Sequence, residues 1–177
     1  MHAPRPALVS EEAFLALPAT MEKVELLDGE VIVAPAPSLR HQTVLKNLVF
    51  ALETWARAAP LPVTVGLAPI DVRFAPGRIL QPDAFVALER LPLDVHGPID
   101  RIPELCIEVL STDRVMDRVT KRLIYAAAGV REYWVVEQSG VVEQWTGDGL
   151  AQARDVVGTL TSALLPGFSL ETATLAS

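Results

Sequence analysis

The segment Leu105-Cys106-Ile107-Glu108-Val109-Leu110 is an apolar run interrupted by a single acidic residue. Short apolar runs of this kind are typical of strands that are buried on both faces. Burying a carboxylate without a partner is costly, so Glu108 needs a counter-charge, a hydrogen-bond donor or a metal ion beside it. We interpret residues 105–110 as a buried strand and Glu108 as a candidate site residue.

The segments after this strand have the patterns of a helix and a hairpin. A helix is predicted from about Arg114 to Ala128, and Gly129 favours its end. Residues 132–137 and 141–146 predict two strands joined by a short turn. Candidate caps at the start of the helix are Ser111, Thr112 and Asp113.

The segments before the strand mix helical and strand patterns. Asp28-Gly29 lies between two short apolar runs and predicts a two-residue hairpin turn. The other predicted elements are a short helix after Ser10 that Pro18 ends, a helix from about Ser38 to Ala58, two strands or one bent strand in residues 62–74, and one strand over residues 79–87. This mixture predicts an α/β (mixed α+β) domain around a mixed sheet.

The length and composition fit one globular domain over residues 1–177, since half of the 177 residues are apolar. No apolar stretch approaches the ~20 residues of a membrane span, and no secretory signal is recognisable, so we expect a cytoplasmic protein without membrane partners.

Cys106 is the single cysteine, which excludes a disulfide or a cysteine zinc cluster within the chain. The net charge of −7 argues against nucleic-acid binding through the overall field.

The common catalytic motifs are absent from the sequence. It contains no P-loop, no dinucleotide-binding glycine motif, no serine-hydrolase elbow and no HExxH zinc motif. Its three histidines, His2, His41 and His96, are too scattered for a histidine-rich metal site. Carboxylates are therefore the best candidates for chemistry.

Two acids accompany predicted strands, Asp83 after Pro82 and Glu108 within its apolar run. On neighbouring strands they could share a divalent metal such as Mg²⁺, together with the backbone carbonyl of Val109, because hard cations prefer oxygen ligands. The alternative is that Asp83 caps the entrance of a strand and Glu108 pairs with an arginine. The residues alone leave both possibilities open.

The helix from Arg114 to Ala128 has two distinct faces. The apolar face predicted to pack inward consists of Val115, Val119, Leu123 and Ala126, and the opposite face of Asp117, Lys121 and Tyr125. Lys121 is thus predicted to lie outside the core. It either points into water with Asp117 as its partner or faces a cleft beside the carboxylates.

Two helical regions carry a local excess of positive charge in this acidic chain. Residues 111–132 contain five basic and three acidic residues, and residues 39–58 contain three basic and one acidic residue. Each region has a net charge of +2, which permits a path for DNA across these helices.

Taken together, several segments in fixed order resemble the Uma-two family of bacterial endonucleases, assigned to the restriction-endonuclease-like PD-(D/E)XK superfamily. The match spans roughly residues 10–146. The matching segments are Glu25-Leu26-Leu27-Asp28-Gly29-Glu30, Pro37 with His41-Gln42, Gln81-Pro82-Asp83, residues 103–111 (PELCIEVLS), Asp117 through Lys121 to Tyr125, and residues 128–136 (AGVREYWVV).

The resemblance implies a central mixed sheet flanked by helices and assigns roles to individual residues. Asp83 would be the aspartate of the PD motif and Glu108 the acid of the (D/E)XK element. Leu110 stands where the lysine of that element is expected, and Lys121 on the following helix would replace it. Glu25 would be an accessory acid, and His41 lies where the family tends to have histidine. Tyr125 and Trp134 are expected to be packing residues.

The function implied is Mg²⁺- or Mn²⁺-dependent hydrolysis of phosphodiester bonds in DNA. A homodimer is expected, because cleavage of a duplex requires that two strands be cut. Two alternatives remain, a catalytically silent interaction module with the same fold and a metal-dependent hydrolase of another phosphoester.

Overall fold

The computed structural model describes residues 8–110 and 115–177. The helices are α1 (Glu11–Leu15), α2 (Leu39–Ala58) and α3 (Arg122–Ala128), and a π-helical segment (Met116–Lys121) leads directly into α3. The strands are β1 (Val24–Leu27), β2 (Glu30–Val33), β3 (Thr64–Leu67), β4 (Val72–Ala75), β5 (Arg78–Leu80), β6 (Ala84–Ala87), β7 (Leu105–Val109), β8 (Glu132–Val136), β9 (Val142–Thr146), β10 (Gln152–Val156), β11 (Thr159–Leu160) and β12 (Leu170–Glu171). Short 3-10 turns lie at Asp148–Leu150 and Thr172–Thr174.

A six-stranded mixed sheet with the order β10-β9-β8-β7-β6-β3 forms the centre of the fold. Strands β7 and β8 pair in parallel, and the other neighbours in this sheet pair antiparallel. Helix α2 and the C-terminal segment bury one face of the sheet. A second sheet, ordered β2-β1-β5-β4, and α3 lie over the other face. The predicted mixed α/β class is confirmed.

The predicted hairpin turn is confirmed, and two serines cap the helices that follow them. Asp28 and Gly29 both have positive φ, 49° and 92°, and join β1 to β2 in the tight turn that this dipeptide predicts. The hydroxyls of Ser10 and Ser38 accept hydrogen bonds from the amides of Ala13 and His41 at the starts of α1 and α2.

The predicted single strand over residues 79–87 is wrong. The chain instead forms β5 and β6, which belong to different sheets, and residues 81–83 carry it from one sheet to the other. Pro82 has no amide to donate to a ladder, and the amide of Gln81 donates to the side chain of Glu25. The apolar pattern is continuous because both short strands are buried.

The helix predicted from about Arg114 is found as the π-helical segment followed by α3, and Gly129 ends it with φ 93°. Arg114 and the candidate caps Ser111, Thr112 and Asp113 lie outside the described residues. Among the residues that are described, no helix is long and apolar enough to cross a membrane.

Candidate active site

The two predicted acids meet on one face of the central sheet. Asp83 immediately precedes β6, and Glu108 lies in β7. The antiparallel register pairs Ala84 with Ile107, and extending it by one residue places Asp83 opposite Glu108. Both side chains are buried, between the central sheet and the second sheet. Neighbouring strands therefore bring together two acids that are distant in the sequence.

A lysine that the sequence reasoning missed lies between the two acids. Lys23 Nζ is 2.8 Å from Asp83 Oδ1 and 3.2 Å from Glu108 Oε2. Lys23 directly precedes β1, and the alternation of side chains along a strand places it on the same face as Glu25. That spacing of two from a candidate acid is the signal that could have identified it.

Lys121 forms a second bridge on the inner side of the site. Its Nζ lies 2.9 Å from Glu108 Oε1 and 3.1 Å from Glu25 Oε1, and the side chain is buried. The sequence left two orientations for Lys121, into water or beside the carboxylates. In the structure its side chain lies beside the carboxylates. Glu25 Oε1 also accepts the amide of Gln81 at 2.8 Å, so β1 and the chain after β5 are joined at this point.

The predicted orientation of this helical segment is wrong. Val115, Val119 and Leu123 are 46–68% exposed, whereas the opposite face, with Lys121 and Tyr125, is buried. Both faces repeat every four residues, so periodicity identifies them without deciding which one turns inward. The buried carboxylates need cationic and hydroxyl donors, and this requirement outweighs burial of the three apolar side chains.

Tyr125 is more than the packing residue that was predicted. Its ring packs against Phe74 and Tyr133, and its hydroxyl donates to Glu108 Oε1 at 2.7 Å. Glu108 therefore accepts hydrogen bonds from two lysines and one tyrosine, and no arginine in the described part of the chain pairs with it. Trp134 is fully buried in the core, as predicted.

Asp83 is fixed by two further groups besides Lys23. The amide of Val109 donates to Asp83 Oδ2 at 2.8 Å, and His41 Nε2 lies 3.2 Å from the same oxygen. His41 comes from the first turn of α2, and its buried Nδ1 has no hydrogen-bond partner within residues 8–110 and 115–177. His41 is therefore a buried histidine bonded to Asp83.

Burial and charge act differently on the two acids. Burial raises the pKa of Glu108 to about 7, although the charges of Lys121 and Lys23 oppose the rise. Burial also tends to raise the pKa of Asp83, but the charge of Lys23 and the hydrogen bond with His41 outweigh it and hold that pKa below its usual value. Asp83 thus remains ionised at neutral pH, while Glu108 exchanges a proton near neutrality.

The carboxylate oxygens of Asp83 and Glu108 are suitable ligands for a hard divalent cation. Asp83 Oδ1 and Glu108 Oε2 both face one point, because both lie within hydrogen-bond distance of Lys23 Nζ. Within the described residues, no three His, Cys, Asp or Glu side chains are grouped as metal ligands. Mg²⁺ is nonetheless commonly held by one or two carboxylates, with water and substrate phosphate completing its shell. Two acids are therefore sufficient for such a site.

Access to the acids is restricted. The side chain of Lys23 is 20% exposed, whereas those of Glu25, His41, Asp83, Glu108 and Lys121 are 9% exposed or less. Lys23 is thus the member of the site in closest contact with solvent.

The positive patch predicted along residues 111–132 is partly neutralised. Arg118 pairs with Glu137 and Glu143, Lys121 is buried in the site, and the Arg122 guanidinium lies 4.3 Å above the ring of Trp145. This helix accordingly offers fewer free cations to DNA than its sequence indicates.

Comparison with known proteins places this geometry in a family context. The family Uma2, described as "Putative restriction endonuclease", matches residues 11–173. No curated protein matches the chain significantly. The crystal structure of a "putative nuclease belonging to DUF820" from Anabaena variabilis has a TM-score of 0.76 and 20% sequence identity, covering 95% of this chain and 97% of that chain. At this identity the likeness establishes a common fold.

Proposed function

The chain belongs to the Uma2 family, and from this premise we propose that it is a metal-dependent endonuclease that hydrolyses phosphodiester bonds in DNA. The observation that carries the proposal is that Asp83 and Glu108, from separate elements, both contact the ammonium group of Lys23. A phosphodiester is anionic and resists attack by water, so a nuclease must concentrate positive charge where the phosphate reacts.

In this proposal Asp83 and Glu108 would hold Mg²⁺ or Mn²⁺, and the carbonyl of Val109 would be a further ligand. The bound metal would polarise the phosphate and lower the pKa of an attacking water. The chain's other groups fix the two acids. The amide of Val109 and the ring of His41 orient Asp83, and Tyr125 orients Glu108.

In this proposal Lys121 takes the role of the displaced lysine of the superfamily motif. It contacts Glu108 directly, and its ammonium group adds positive charge beside the proposed metal position. Glu25 keeps Lys121 in place from the other side. We assign Lys121 to charge stabilisation in the transition state and Glu25 to positioning.

The test is nicking of supercoiled plasmid by the purified protein with Mg²⁺, with Mn²⁺ and with excess chelator. We expect nicking that requires metal, that is lost in Asp83→Asn, and that persists in Glu53→Gln, which changes a half-exposed carboxylate on α2. Release of product from small phosphodiesters without plasmid nicking would instead favour a hydrolase of another phosphoester. A mass measurement in solution tests the homodimer proposed for duplex cleavage.

One observation favours the catalytically silent module. The carboxylates already have partners within the chain, as expected if they serve structure alone. Calorimetric titration with Mg²⁺ and Mn²⁺ separates the two functions. A protein indifferent to both metals, with no change on Asp83→Asn, would favour the module over the nuclease.

A further inference from the structure

Lys23 Nζ lies where the oxygens of Asp83 and Glu108 converge, which is the position a metal held by both acids must take. Its distances of 2.8 and 3.2 Å are those of charged hydrogen bonds. Metal–oxygen distances for Mg²⁺ are about 2.0–2.1 Å. The ammonium group and a metal held by the same two oxygens therefore exclude one another.

The charges of the site favour an exchange of one cation for the other. Three carboxylates (Glu25, Asp83 and Glu108) face two ammonium groups (Lys23 and Lys121). Counted in their ionised forms, these five groups have a total charge of −1. Replacing the single charge of Lys23 by a divalent ion brings the sum to zero. Adding the ion while Lys23 stays in place would give an excess of positive charge in a buried site.

The two lysines differ in their freedom to leave. Lys121 is buried on a helical segment, and both of its carboxylate partners lie inside the protein. Lys23 is the most exposed group of the network, and the residues before it, 15–22, are all exposed. Its carbonyl accepts the amide of Ala34, which fixes the backbone. The flexible four-carbon stem can therefore swing outward without disturbing β1.

We infer that Lys23 is a built-in competitor for the divalent cation, closing the site with its ammonium group and turning outward when the metal ion binds. The inference rests on the proposed function and assigns a role to a residue outside the motif segments. In the open position the ammonium group lies at the mouth of the site, where an incoming phosphodiester is met by a positive charge. The carboxylates thus remain neutralised in the absence of metal.

The composition of the chain allows a direct test in the unmodified protein, because it has three lysines in different environments. Lys46 is exposed, Lys121 is buried and Lys23 is the group in question. An amine-acylating reagent, followed by peptide mass spectrometry, would report the reactivity of each. On adding Mn²⁺ we expect Lys23 to become more reactive, Lys46 to stay constant and Lys121 to stay protected. Unchanged reactivity of Lys23 at saturating Mn²⁺ would overturn the inference.

A binding measurement complements the acylation. Lys23→Gln should bind Mn²⁺ more tightly than the wild type, by roughly 10-fold or more, as changes beside metal ligands commonly shift metal affinity by 10–100-fold. Lys46→Gln makes the same change in net charge at an exposed site and should leave the affinity unchanged. Asp83→Asn should abolish binding in both the wild-type and Lys23→Gln backgrounds.

The outcomes separate this inference from the proposed function. The wild type and Lys23→Gln could bind Mn²⁺ with equal affinity, and both could lose binding on Asp83→Asn. That result would support the metal site and contradict the competitor role of Lys23. Absence of Mn²⁺ binding in both proteins would overturn the proposed function, and the inference with it. Should Lys23→Gln fail to fold, acylation of the wild-type protein decides the question alone.

Discussion

Lys121 Nζ lies 2.9 Å from Glu108 Oε1, although the two residues are 13 positions apart in the sequence. Leu110, where the superfamily motif has its lysine, is buried in the core. A lysine on the following helical segment thus reaches the acid from another direction. The contact makes Lys121 part of the structure as well as a candidate for catalysis, since it also neutralises Glu25.

We expect Lys121→Met to lower the free energy of unfolding by about 3–5 kcal/mol, because removing one partner of a buried ion pair leaves the remaining charge uncompensated. Urea unfolding at pH 8 measures the loss. Lys46→Met is the matched control, and at its exposed position we expect a change within about 0.5 kcal/mol. Equal stability of the two variants would mean that Lys121 does not neutralise Glu25 and Glu108.

The hydroxyl of Tyr125 gives a more selective test of the site. Tyr125→Phe removes one hydrogen bond to Glu108 and should destabilise the protein by about 1–3 kcal/mol. It should also weaken Mn²⁺ binding, because Glu108 loses a group that orients it. Tyr133→Phe is the control, since its equally buried hydroxyl donates to the backbone carbonyl of Asp117. A loss of Mn²⁺ affinity as large in Tyr133→Phe would contradict a specific role for Tyr125.

The helix orientation can be tested with two neighbouring residues of α3. Leu123 is 55% exposed and Ile124 is buried. Leu123→Ala should therefore change stability by less than about 0.5 kcal/mol, as is usual for exposed sites. Ile124→Ala should cost about 2–5 kcal/mol through lost burial and the cavity it leaves. The reverse ranking in thermal or urea unfolding would support the orientation predicted from the sequence.

Local patterns predict much of this fold because their causes are local. The Asp28-Gly29 turn depends on residues that tolerate positive φ, and Ser38 caps α2 with its own hydroxyl. Strand β7 was recognisable from its composition alone. The division of residues 79–87 between two sheets was not recognisable, because the apolar pattern of these residues indicates burial but does not indicate which strands pair.

The site was predictable in part for the same reason. Asp83 and Glu108 attract attention because acids are rare beside buried strands. Lys23 does not, because a lysine before a strand is usually solvated, and its role depends on how the second sheet lies over the first. Lys121 is likewise buried because the buried carboxylates of the folded protein need a positive charge beside them. The periodicity of a helix does not show this need.

The pKa of Glu108 predicts how stability depends on pH in the absence of divalent metal. Its ordinary value of 4.5 is raised to about 7 in the folded protein, chiefly by burial. Between these values the folded state holds a proton that the unfolded state has lost. Stability contributed by this group is therefore complete at low pH and declines as the pH rises from about 5 to 7, by up to about 1.4 kcal/mol per pH unit.

Glu108→Gln removes this titration, so the difference in unfolding free energy between variant and wild type should shift in favour of the variant as the pH rises from 5 to 7. Urea titrations at half-unit intervals with chelator present would measure the difference. Measurements stay above pH 5 because Asp83, whose pKa is lowered, loses its stabilising charge only in more acidic solution. Glu53→Gln, at a half-exposed carboxylate on α2, should follow the wild-type profile throughout. Parallel profiles for wild type and Glu108→Gln would show that Glu108 is not the group that titrates near neutrality, and that Lys23 and Lys121 keep it ionised.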